Sequence, residues 1–134
     1  MTADGRTSVS GRPASSGGLV QGWRRWALVL AVLLQLAVLY DPRAPSVGGL
    51  ADVAGLDKVV HAGLFALVMV AGRAAHLPRV PLLLLTVVQA PLSEIVQWTL
   101  LPHRSGDPWD VVADLAGCLL GWWLTRRNGD DGHA

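Results

Sequence analysis

Apolar residues in this chain fall into four blocks, and the polar residues gather at the block ends. The first block is Trp26–Tyr40, "WALVLAVLLQLAVLY", preceded by "GWRRW" and stopped by the two prolines of "DPRAP". A second runs from Val59 to about Ala75 and is closed by "HLPRVP". The third, Val80–Leu101, is the longest, and the fourth, Val111–Leu124, is closed by "TRRNGDD". Helices of a soluble four-helix bundle keep a charged outer face, whereas these blocks are apolar nearly all round. Their lengths, roughly 14–22 residues, approach the roughly 20 that a hydrocarbon core requires. Trp23, Trp26, Tyr40, Trp98, Trp109, Trp122 and Trp123 fall near block ends, where an interfacial aromatic belt places them. The pattern predicts an all-α fold: a small polytopic membrane protein with four transmembrane helices.

The flanks are of another kind. Residues 1–22 are rich in Ser, Thr, Gly and Arg without an apolar period and are expected to form a disordered tail. The four-helix domain is expected over residues 23–125, followed by a short cytoplasmic tail over 126–134. The first block has a basic flank, but no small-x-small site follows Tyr40, so an uncleaved first helix is expected rather than a signal peptide. With the N-terminus in the cytoplasm, the inner side collects Arg24, Arg25, Arg73, Arg79, Arg126 and Arg127. The outer side receives Arg43, Lys58 and Arg104, each with an Asp nearby. The positive-inside rule therefore favours both termini inside, which four spans satisfy.

Composition narrows the function. Of the 134 residues, 51% are hydrophobic and only 16% charged, too apolar for an ordinary soluble domain. A net charge of +1 and the lack of a basic run interleaved with aromatics argue against nucleic-acid binding. The single cysteine, Cys118, cannot form an intrachain disulfide, and no Cys/His spacing suggests a zinc site.

The expected topology brings three block ends together at the outer face, and the unusual polar residues sit there. Asp57 and His61 lie four apart on one face of the second helix, beside Lys58. On the third, steps of about 100° set Thr86, Gln89, Ser93, Glu94 and Gln97 on one broad arc, with Pro91 expected to kink the helix below Glu94. On the fourth, Asp110, Asp114, Gly117 and Gly121 form a stripe. Ala113, Gly117 and Gly121 make a small-xxx-small series that admits a neighbouring helix. Asp107 before Pro108 reads as an N-cap. Asp110 suits either the positive end of the helix dipole or a polar site. Asp114 lies a turn too deep for capping, and Glu94 has no capping role, so both are assigned to a shared polar site. His61 fits either a packed histidine or that site. Gln35 on the first helix is read as packing glue.

These residues resemble the VanZ family. The resemblance rests on "DKVVHAGLFALV" (Asp57–Val68), "SEIVQ" (Ser93–Gln97), "PHRSGDPWDVVADLAG" (Pro102–Gly117) and Gly121, in the family's order and covering about half the chain. It implies that Asp57, Lys58, His61, Glu94, Gln97, Arg104, Asp110, Asp114 and Gly117 are motif residues. Asp114 stands where the family often has Asn, which exchanges a neutral donor and acceptor for a charge. The family is linked to low-level resistance to the glycopeptide teicoplanin, and the resemblance implies membership rather than a reaction.

Three functions follow as expectations. The first is a non-enzymatic envelope protein whose outward polar site binds an envelope component, the antibiotic or a partner membrane protein, with Arg104 pairing with Glu94 or Asp110. A membrane enzyme acting on a lipid or lipid-linked cell-wall precursor is the second. No cofactor is required by the first. In the second, Glu94, Asp110 and Asp114 with His61 could hold a divalent cation, while Arg104 and Lys58 grip a phosphate. An ion-coupled transporter is the third and weakest, because few polar residues continue across the bundle.

Overall fold

The computed structural model describes residues 17–41, 55–101 and 107–126. Four α-helices make up the described chain: α1 (Gly17–Tyr40), α2 (Leu56–Ala74), α3 (Arg79–Leu100) and α4 (Pro108–Arg126). The first helix begins at Gly17, so residues 17–22, expected to belong to a disordered tail, are helical, while residues 1–16 lie outside the described residues. Within α3 the helix runs on through Pro91.

Helix boundaries follow local chemistry. The α2 terminus is a Schellman-type stop: Leu77 N–H donates to Gly72 C=O, and His76 N–H to Arg73 C=O. His76 takes the left-handed conformation at φ 65°, and Pro78 follows to prevent continuation. At the start of α4, Asp107 accepts the Trp109 N–H at 2.9 Å, with Pro108 as the first helical residue.

Packing centres on α2, which contacts all three other helices and lies closest to α4. That approach depends on glycine. A Cβ on Gly117 would collide with the Ala62 carbonyl, and one on Gly121 would meet Met69 and the Ala66 backbone. Leu39, Phe65, Ala90 and Cys118, one from each helix, form the central apolar cluster. A second cluster of Ala31, Val68 and Ala71 joins α1 to α2. Between them, Gln89 of α3 donates to Gln35 of α1 at 3.2 Å, so the isolated glutamine of the first helix finds a polar partner.

The exterior is apolar. Leu85 is 68% exposed and Leu119 62%, and Leu30, Leu33, Leu84 and Val88 are likewise exposed. Two helices, over Val20–Tyr40 and Arg79–Leu100, are long and apolar enough to cross a membrane. Each of the other two has 19 residues, about 28 Å of helix at 1.5 Å per residue, but each carries charged residues that dilute its apolar content.

The ends of the bundle differ sharply. At one end, Arg24 donates to His76 Nε2 at 3.0 Å, Arg73 to the Leu77 carbonyl, and Arg79 to the Thr125 carbonyl at 2.7 Å. Arg79 thereby satisfies a carbonyl at the end of α4, as cations at C-termini do, while Arg73 holds the connection that follows α2. Asp57, Glu94, Asp107, Asp110 and Asp114 meet at the opposite end.

Candidate functional site

The carboxylate end is built in two layers. Lys58, on the first turn of α2, forms the outer one. Its ammonium donates to Asp57 and to Asp107 at 2.9 Å each, and to Asp110 at 3.2 Å. An ammonium has three protons, and all three are used here. The clasp joins α2 to the start of α4. The Lys58 ammonium holds the Asp57 and Asp107 carboxyls below their ordinary range, with the Trp109 N–H adding to the effect on Asp107. In return Lys58 is held well above its ordinary value, chiefly by Asp107 and then by Asp57.

One helical turn further in lies the second layer. His61, one turn beyond Asp57, is buried, and its Nδ1 lies 3.0 Å from Asp114 Oδ1. Its other nitrogen, Nε2, is 4.0 Å from Asp110 Oδ2, beyond hydrogen-bond range. Asp114 has no solvent exposure at all. From α3, Glu94 turns inward and accepts the backbone N–H of Asp107 through Oε2 at 3.1 Å. His61, Glu94 and Asp114 each present one ligating atom within 4.8 Å of the others, and this buried group could hold a metal ion.

Hydrogen bonding in the inner layer is incomplete. Glu94 Oε1 and Asp114 Oδ2 are both buried and, among the described residues, have no hydrogen-bond partner. Gln97, one turn beyond Glu94, is also buried, and its amide nitrogen is unpaired in the same sense. Gln35 Nε2 and, at the opposite end, Arg73 Nε and Arg79 Nε are unpaired in the same sense, but only Glu94 and Asp114 leave carboxylate oxygens so. Native interiors leave few such groups without a physical reason.

Beside Glu94 the surface opens. A cleft of about 250 Å³ runs between Pro91, Ile95 and Trp98 of α3 and Pro108 and Val111 of α4, and its surface is almost wholly apolar although Glu94 and Asp107 also border it. Trp98 and Trp109 flank this end of the molecule and are highly exposed.

Of the residues read as a polar site, Lys58, His61, Glu94, Asp110 and Asp114 meet directly or through a shared partner. Asp57 lies at the rim and touches the site only through Lys58. Gln97 is buried without a hydrogen bond from its side chain to the others. Arg104 lies outside the described residues. Gly117 and Gly121 are helix contacts, as the small-residue stripe suggested. The residue that sequence reasoning undervalued is Asp107. It caps α4 as expected, and it also links Lys58 to Glu94, giving the site its connection between layers. Only the proximity of Asp107 to Asp110 along the chain hinted at this.

No family model matches the chain, and it matches neither a curated protein nor a solved structure.

Proposed function

We propose that the chain is a VanZ-like integral membrane protein of the bacterial plasma membrane, crossing it four times with both termini in the cytoplasm. In this reading the carboxylate end faces outward and binds a component of the cell envelope, modulating susceptibility to glycopeptide antibiotics. The observation that carries it is the separation of charge along an apolar bundle. Arg24, Arg73 and Arg79 gather at one end, while the other end buries Glu94, Asp114 and His61 behind the Lys58 clasp. The positive-inside rule then sets the arginines in the cytoplasm. Ionisable groups held within a membrane bundle are costly, and proteins keep them there mainly where binding or chemistry uses them.

The test is to produce the chain in a teicoplanin-sensitive bacterial host, with Glu94→Ala and Asp114→Ala compared at equal membrane levels. Wild-type protein is expected to raise the inhibitory concentration, and both variants to lose that rise. A rise retained by both variants would separate the polar site from the effect. No rise with the wild type would exclude the glycopeptide as the relevant ligand.

A second reading, a membrane enzyme acting on a lipid or lipid-linked cell-wall precursor, draws on the His61–Asp114 pair. A carboxylate beside one imidazole nitrogen orients the ring and raises its basicity toward a substrate proton. Turnover of a lipid-linked precursor by purified protein, abolished in His61→Ala, would select this reading.

A further inference from the structure

The geometry points to His61, Glu94 and Asp114 as a single binding site for a divalent transition-metal ion of the zinc class, with one coordination position left open. The inference goes beyond the proposed function and does not depend on it.

The inner layer contains an excess of acceptors. Glu94 has one oxygen on the Asp107 N–H and Asp114 has one on His61 Nδ1, so each carboxylate keeps a second, buried oxygen without a partner among the described residues. A buried carboxylate oxygen stripped of water costs free energy unless a donor or a cation answers it. Lys58, the cation nearest to this layer among the described residues, has no proton to spare, because Asp57, Asp107 and Asp110 take all three. A divalent ion supplies the missing positive charge at the point where the three side chains converge.

Ligand type selects the class of ion. One imidazole with two carboxylates is a nitrogen–oxygen set, which suits Zn²⁺, whereas Mg²⁺ and Ca²⁺ take oxygen ligands. The spacing agrees. Two atoms bound about 2.0–2.2 Å from one tetrahedral ion lie roughly 3.3 Å apart. The His61 Nδ1 to Asp114 Oδ1 distance is 3.0 Å and all three ligating atoms fall within 4.8 Å, so binding exchanges the His61–Asp114 hydrogen bond for bonds to the ion as the three side chains turn toward it. Three protein ligands leave a fourth position for water or an oxygen anion, as in open zinc sites. Asp107 serves as the supporting residue, since its backbone N–H fixes Glu94.

The experiment uses tag-free, full-length protein in detergent micelles, stripped with a chelator, reloaded with Zn²⁺ and desalted. Wild-type protein is expected to retain close to one equivalent of Zn²⁺ per chain, and Mg²⁺ in excess is expected not to displace it. Glu94→Gln and Asp114→Asn should bind at least about tenfold more weakly, while His76→Asn, altered at the opposite end of the bundle, should bind as wild type. Co²⁺ added to the stripped wild type should give visible d–d bands that Zn²⁺ abolishes, a readout that needs no variant to fold. The inference is overturned if wild-type protein retains no Zn²⁺ and shows no Co²⁺ band. It is equally overturned if Glu94→Gln and Asp114→Asn together keep the full equivalent, for the metal then sits elsewhere. A metal-loaded protein that leaves antibiotic susceptibility unchanged would count against the proposed function alone.

Discussion

Gly117 shows how one residue sets the architecture that positions the site. A methyl group there would collide with the Ala62 carbonyl, which is backbone and cannot rotate aside. Gly63, on the exposed side of α2, has open space around it. Gly117→Ala is therefore expected to destabilise the bundle by about 1–3 kcal/mol through overpacking. Gly63→Ala should be neutral or stabilising by up to about 1 kcal/mol, through helix propensity alone. Thermal unfolding in detergent, followed by circular dichroism, separates the two. Equal melting temperatures for both variants would show that α2 and α4 do not approach as closely as this. The four-residue spacing of Ala113, Gly117 and Gly121 made a close approach legible in the sequence. That Ala62 lies opposite was not, because one helix's periodicity names its own face and never its neighbour.

At the scale of the elements, the clasp from Lys58 ties α2 to the capped start of α4. The cap itself could be read from Asp107 and Pro108, since capping is local. The ion pair of Asp107 with Lys58 spans 49 residues, and its backbone contact with Glu94 spans 13, separations over which no pattern in the chain speaks. Its pH dependence has a definite sign. Asp57 and Asp107 are held below the unfolded carboxyl value of about 3.9, so their contribution is present above that value and is lost as pH falls through the depressed folded values. Lys58 is raised, so its contribution is intact below about 10.4 and fades as pH rises through the folded value. The three side chains are a third or more exposed, so solvent screening limits each pair to a fraction of a kcal/mol, at most about 1. The difference in melting temperature between wild type and Lys58→Met should be a few degrees between about pH 5 and 10, and should shrink at both extremes. A difference that stays constant from pH 3 to 11 would mean that Lys58 contributes packing rather than charge.

For the molecule as a whole, the decisive feature is that four helices of alternating direction gather arginines at one end and carboxylates at the other. Alternating topology let the sequence foretell that the ends of α2, α3 and α4 meet, because successive helices of similar length must return to the same level. Hydropathy alone does not extend to α2 and α4, because the residues that build the site also make those helices less apolar. The same groups that argue for function thus lower the hydropathy of the two helices that carry them. Asp57 and His76 lie just beyond opposite ends of the apolar stretch of α2, and both are exposed. If α2 crosses the membrane, cysteines at the two positions lie on opposite sides of it. In a Cys118→Ala background, which removes a buried thiol, a membrane-impermeant thiol reagent applied to intact cells should label Asp57→Cys and leave His76→Cys unlabelled until the cells are opened. Labelling of both positions in intact cells would place α2 outside the bilayer. Labelling of His76→Cys alone would invert the orientation and turn the carboxylate site toward the cytoplasm. Asp57 stands at the rim and contacts the site only through Lys58, so the label reports topology while His61, Glu94 and Asp114 keep their own contacts.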